Sequence, residues 1–202
     1  MIHTALQFIT HELNEYLKIR LDSSAPGDEK IVLTNVATPE GVVIPEKSLG
    51  LSLINIEEER VTKEQKTSHI NNDGRVERIN PEIKLNLYIL VTANFQGNNN
   101  DTTADYSEGL KQLSYVISFF QSKNVFTDSN SPALSGYDPN IKKLIVELYS
   151  YSFEQLYNFW TVVGTNYLPS ILYKIRVLSI QEKAIQDINL PIEKIGINTG
   201  GR

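Results

Sequence analysis

The sequence predicts a mixed α/β (α+β) fold, a single antiparallel-rich β-sheet flanked by helices, and three observations lead there. Ile83, Leu85, Leu87, Ile89, Val91, Ala93 and Phe95 alternate at strict period two, the pattern of a strand. Ile2, Ala5, Leu6, Ile9, Leu13, Tyr16 and Leu17 recur at helical spacing. Between and beyond them the elements come in the order helix, strands, helix, strand, which suits a sheet covered by helices. With 202 residues, 41% of them hydrophobic, the chain can bury one real core.

The first helix runs through "MIHTALQFITHELNEYLKIRL", with Gln7, Thr10, His11, Asn14, Glu15 and Lys18 filling its polar side. His11, Glu12, Asn14, Glu15 and Lys18 also break the continuous apolar run that a secretory signal requires. No stretch reaches the length of about 18 apolar residues that a membrane helix needs. The expectation is therefore cytoplasmic synthesis, with no membrane insertion.

"SSAPGD" breaks the chain, "IVLTNVA" from Ile31 to Ala37 reads as a short strand, and "TPEGVVIPE" as a loop. In "LGLSLINIEEERVT" the alternation of Leu49, Leu51 and Leu53 is followed by Ile54 and Ile56 in the opposite phase. Such a strand is buried on both faces at its middle, or carries a bulge there. "KEQKTSHINNDGRVERINP" is polar and reads as a long exposed connection. After the Ile83–Phe95 strand, "ADYSEGLKQLSYVISFFQSK" sets Tyr106, Leu110, Leu113, Ile117 and Phe120 on one helical face. "DSNSPALSGYDPN" is read as a loop, and "IKKLIVELYSYS" as a strand with Leu144, Val146 and Leu148 on one side.

Ser152 stands three residues before Gln155, the spacing of a capping box, so a short helix should begin at Phe153. Phe153, Leu156, Phe159, Trp160 and Val163 keep its apolar period, and Gly164 stands where a left-handed cap ends it. Pro169 pushes Leu168 toward extended geometry, and "ILYKIRVLSI" then alternates as the last long strand.

Composition and spacing exclude several functions. The net charge is -5, the pI is near 5.3 and the 19 basic residues are scattered, so there is no electrostatic footprint for nucleic acid. With no cysteine there is no disulfide, thiol nucleophile or thiolate metal site. His3 and His11 are eight residues apart, not the four that place two ligands on one metal, and the glycines form no phosphate loop. Ser170 lacks a nucleophile elbow, and no nucleophile, base and orienting group stand at a recognisable spacing. The sequence therefore predicts no catalytic, cofactor or metal site.

What remains are surfaces. Glu57, Glu58 and Glu59 with Arg60 read as a solvated strand end or as an interface salt-bridge patch, since adjacent strand residues point to opposite faces and cannot converge on one ion. Trp160 reads as core or as a partner contact, and Tyr167 and Tyr173 belong to a tyrosine-rich final third suited to subunit contacts. The tail carries Ile185, Ile188, Leu190, Ile192 and Ile195, too apolar for a free tail and too short for a core of its own. It is expected to pack on a neighbour as an extended arm, by sheet-edge addition. The expected division is a domain over 1–181 and a C-terminal arm over 182–202.

"FWTVVGTNYLPSILYKIRVLSI", taken with "LSLINIEEERVTKEQ" and with "PEIKLNLYILVTANF" ahead of a capped helix, resembles the cap or tail-terminator family of phage-tail-like contractile injection systems, such as the antifeeding prophage. The resemblance reaches from the first helix to about Ile180. It implies a tail-terminator-like α/β fold and a homo-oligomeric, hexameric ring at the baseplate-distal end of the inner tube. Such a ring ends tube growth and gives the last sheath layer an attachment. The implied partners are the inner tube protein and the sheath protein, in a phage-tail-like particle open to release from the cell. An adaptor joining tube or sheath to another component is the alternative, with a small enzyme behind it.

Overall fold

A computed structural model of the chain describes residues 1–22, 27–60, 68–70, 76–78, 83–95, 102–180 and 187–189, and of 68–70, 76–78, 102, 177–180 and 187–189 the main chain alone. The chain divides into two compact units, Met1–Glu58 with Leu85–Leu178, and Glu59–Lys84 with Ser179–Arg202.

In the first unit, helix α1 (Ile2–Arg20) leads to β1 (Ile31–Leu33), to a tight hairpin of β2 (Ala37–Thr38) and β3 (Gly41–Val42), and to β4 (Ser48–Glu58). The hairpin occupies what reads as a loop in the sequence. Two residue pairs form it, so no alternation can develop. In the second unit, β5 (Ser68–Ile70) and β6 (Val76–Arg78) form an antiparallel hairpin within the stretch expected to be an exposed connection. The Asn-Asp-Gly at 72–74 is a hairpin signal, and three-residue strands are too short for a period to reveal them.

The long β7 (Ile83–Asn94) is followed by α2 (Thr102–Ser122), β8 (Val125–Thr127), the short helix α3 (Ala133–Tyr137) and β9 (Lys143–Tyr149). Then come α4 (Phe153–Val163), β10 (Ser170–Ile180) and β11 (Asp187–Asn189). α3 lies where the sequence reads as loop, and β8 in the four residues between the second helix and that loop, to which the sequence reading assigns no element. Six strands form one sheet in the order β1-β4-β7-β10-β9-β8, with β1 parallel to β4 and the pairs β4/β7, β10/β9 and β9/β8 antiparallel. The fold is the mixed, antiparallel-rich α/β sheet that the sequence predicts.

The bulge in β4 explains its two phases of leucine and isoleucine. Leu53 pairs with Ile89 and Asn55 with Tyr88, so Ile54 is the extra residue. Past it, Ile56 falls opposite Leu87 and Glu57 opposite Asn86. One inserted residue thus returns the strand to the phase of its partner.

Each face of β7 meets a core of its own. Leu87, Ile89, Val91 and Ala93 join the larger cluster with Phe8, Ile9 and Leu13 of α1, and Val116 and Phe120 of α2. Tyr88 and Leu90 join Val36, Ile44, Trp160, Leu168 and Leu172 on the opposite side. The central strand is therefore buried on both faces, as a sheet covered twice requires.

Two expected helix faces are corrected. On α2 the buried apolar side chains are Leu113, Val116, Phe119 and Phe120, whereas Tyr106, Leu110 and Ile117 are exposed. The cause is Gly109, where an added Cβ would stand 3.0 Å from Phe95 Cδ2, so the helix rests on the sheet through a residue that an apolar tally passes over. On α1, Asn14 is buried rather than solvated: its Nδ2 donates to Ile31 O at 2.7 Å, and its Oδ1 accepts from Lys30 N at 2.8 Å and Ile31 N at 3.0 Å. A fully bonded amide is stable inside, which hydropathy alone does not reveal.

Candidate functional site

Helix α4 and the turn after it present the most exposed apolar surface among the described residues. Their geometry follows from local signals. Gln155 N donates to Ser152 Oγ at 3.2 Å while Ser152 N donates to Gln155 Oε1 at 3.0 Å, which completes the capping box. Gly164, at φ 73°, ends the helix in the left-handed region, and its N–H donates to Trp160 O.

Only Trp160 of this helix is buried. Its ring lies edge-on to Phe159 at 5.5 Å and to Tyr167 at 5.6 Å, which anchors the helix on the smaller core. Outward, Phe153 is 92%, Val162 87% and Tyr157 72% exposed. A cleft of about 450 Å³ lies along this side, lined by Phe153, Leu156, Tyr157, Trp160, Thr161 and Tyr167 among others. A short helix with so much uncovered apolar area is the pattern of an interaction surface.

The acidic run divides along the strand. Glu57 accepts from Tyr88 Oη at 2.8 Å and from Asn55 Nδ2 at 3.3 Å. Tyr88 in turn meets Tyr149 edge-on at 5.2 Å, with Lys174 Nζ 5.6 Å above its ring. Beside them Arg176 pairs with Glu147 at 3.1 Å, so this part of the sheet carries both signs of charge around two tyrosines. Glu58 lies opposite Leu85, one residue out of phase with Glu57 and hence on the other face. Glu59 is half-buried and Arg60 exposed.

Tyr173 lies inside the larger core, 2% exposed, with its ring 4.6 Å from Phe120. Burial pushes the phenols of Tyr173 and Tyr151 above their ordinary range. Tyr167, by contrast, is on the surface beside Trp160. In the tail, Ile188 pairs with Glu77 as β11 adds antiparallel to β6, so strand addition occurs within the chain's own small sheet, ordered β11-β6-β5. Ile185, Leu190, Ile192 and Ile195 lie outside the described residues.

Among the described residues no three His, Asp or Glu side chains gather where they could hold a metal ion. No described helix is long and apolar enough to cross a membrane. Sequence reasoning missed Phe153 and Val162 as surface residues. Helical period reports which residues share a face, and here the apolar residues go round the helix.

Residues 4–194 match the family described as the Pvc16 N-terminal domain. No curated protein matches the chain. The chain is similar to the sheath/tube terminator of PVC, an extracellular contractile injection system, in its extended state. That match has a TM-score of 0.49 and 16% identity, covering 95% of this chain and 63% of that one. It is also similar to the tube-terminating cap of the anti-feeding prophage, with a TM-score of 0.50 and 12% identity, covering 94% of this chain and 59% of the other. This chain thus spans about three fifths of the length of either structure. With almost its whole length accounted for, the chain belongs to the Pvc16 N-terminal domain family.

Proposed function

We propose that this chain is a structural cap, a tail terminator that closes the baseplate-distal end of the inner tube of a contractile injection particle. The observation that carries this reading is the family match over residues 4–194, and the fold shared with a tube-terminating cap supports it. The protein acts by geometry rather than by catalysis. Copies join in a closed, six-fold ring whose one face fits the last tube layer and whose other face offers nothing for a further layer, so polymerisation stops. The last layer of sheath gains its attachment from the same ring.

The surfaces assigned to this task are the α4 side with Phe153, Tyr157, Val162 and Tyr167, and the strand end at Glu57, Glu58, Glu59 and Arg60. The tail with Ile185, Leu190, Ile192 and Ile195 adds an arm toward tube or sheath. Trp160 and Tyr173 support these surfaces from inside. Assembly takes place in the cytoplasm, and the finished particle is open to release.

The test is to label the chain and image it by electron microscopy on particles assembled from their own tube and sheath proteins. Label at one end of each tube supports the cap. Label along the tube or sheath sides, or at a junction with another component, makes the chain an adaptor. Native mass spectrometry of the purified protein adds the stoichiometry, with the ring expected at six times 22.8 kDa.

A further inference from the structure

We propose that copies of this chain join head to tail, with the outer side of α4 on one copy seated on the outer side of α2 on the next. The two helices lie on opposite faces of the six-stranded sheet. α2 packs through Leu113, Val116 and Phe120 on the larger core, and α4 packs through Trp160 on the smaller one. A copy can offer one of these helices to each of two neighbours.

Both outer surfaces lack the charges that a solvent-facing helix ordinarily carries. Charged residues make up 21% of the chain, yet residues 112–122 hold none and residues 149–173 hold Glu154 alone. On α2 the uncharged stretch exposes Ser114, Ile117, Ser118 and Gln121, with Leu110 exposed one turn before them. On α4 it exposes Phe153, Tyr157, Asn158, Thr161 and Val162.

The hydroxyls on these surfaces already have acceptors. Ser114 Oγ donates to Leu110 O at 2.8 Å, Ser118 Oγ to Ser114 O at 2.9 Å, and Thr161 Oγ1 to Tyr157 O at 2.8 Å. Each bonds back along its own helix, so covering it leaves no donor unmet. The serines of α2 then form a low surface between Leu110 and Ile117, on which the rings of Phe153 and Tyr157 can lie.

Charge and symmetry select a second copy as the occupant. The chain has a net charge of -5, so two copies repel, and they meet at least cost where neither surface is charged. A basic partner would call for an acidic surface, and Glu154 is the only acidic residue in the two stretches. An α4-on-α4 contact would bring a two-fold axis, and a ring built on such axes has two like faces. Unlike surfaces on opposite layers repeat around a closed ring and keep its two faces different, as a cap requires. In this respect the inference rests on the cap proposed above.

The chain has no cysteine, so introduced cysteines read the contact directly. Ser114→Cys or Ser118→Cys is mixed with Thr161→Cys and treated with a short bismaleimide, both free in solution and on purified inner tube. Each mixture is expected to give a covalent dimer, and each variant alone none. One chain carrying both Ser118→Cys and Thr161→Cys is expected to give a ladder of products that ends at the closed ring, because the sheet separates the two positions within a copy. Thr161→Cys cross-linking to itself, or mixtures that give no product in either setting, would overturn the proposal. Ser118→Glu, at an exposed position, is expected to keep its circular dichroism and weaken association about tenfold or more; association as strong as in the unaltered chain would overturn it as well. Tubes capped without the cross-link would reject this contact and leave the cap. A cross-linked ring that leaves tube growth unchanged would keep the contact and reject the cap.

Discussion

Tyr151 and Tyr173 have hydroxyls with no hydrogen-bond partner, and burial lifts both phenols above the ordinary value of 10.0. Burial favours the neutral form, so the folded chain holds these protons more tightly than the unfolded one does. Their contribution to stability is complete below pH 10 and is lost as pH rises toward and through the raised values. Of the ten tyrosines, these two should ionise only as the protein unfolds in alkali, which absorbance near 295 nm and circular dichroism can follow together. Ionisation of these two near pH 10 with the fold intact would refute this. Tyr173→Phe removes an unpaired oxygen, so its stability should stay within about 1 kcal/mol of the unaltered protein and one late phenol should disappear. Asp138 has the opposite shift. Burial opposes its charge, but donors from Asn140 N at 3.0 Å, Asn140 Nδ2 at 3.1 Å and Thr4 Oγ1 at 3.1 Å outweigh it and hold the carboxyl below 3.8. Its contribution is therefore present above pH 3.8 and lost as pH falls through the lowered value. Residues of this kind were hidden in the sequence, as Asn14 was, because a polar residue becomes a core residue only when distant partners satisfy it.

Elements with local signals were the legible ones. The capping box and the glycine cap of α4 depend on residues within the helix and its flanks, and the strict alternation of β7 needs no partner to be recognised. Ser152→Ala and Gly164→Ala should each cost about 1 kcal/mol, the first by removing the cap and the second by forcing a Cβ into the left-handed region. Chemical denaturation measures both, and a loss in either case below about 0.3 kcal/mol would deny that these ends hold the helix. The elements missed were β2, β3, β5, β6, β8 and α3, all of five residues or fewer. Such segments take their structure from the neighbours they pair with or pack against. The bulge at Ile54 lies between these cases: the change of phase in "LSLINI" was visible, but its choice over simple two-sided burial required the register with β7. The rotated face of α2 depends on Gly109 against Phe95, a contact between segments that no single-helix pattern contains.

At the scale of the whole molecule, the fold class was legible because alternation, helical period and element order agree on one architecture. The candidate surface was less so. Apolar period pointed to α4 and to Trp160, yet the sequence alone could not distinguish the one buried residue from the exposed Phe153, Tyr157 and Val162. If α4 is a subunit or tube contact, Tyr157→Glu should leave the monomer folded and weaken assembly at least tenfold, since a charge in an apolar contact must be desolvated. Unchanged ring and cap formation by that variant would remove α4 from the interface. The most direct measurement for the account is the growth of purified inner tube in the presence of increasing amounts of this chain, followed by length distributions in electron micrographs. A cap predicts shorter tubes, growth halted at one end and a ring seen at that end. Tubes of unchanged length with free ends at every concentration would contradict it.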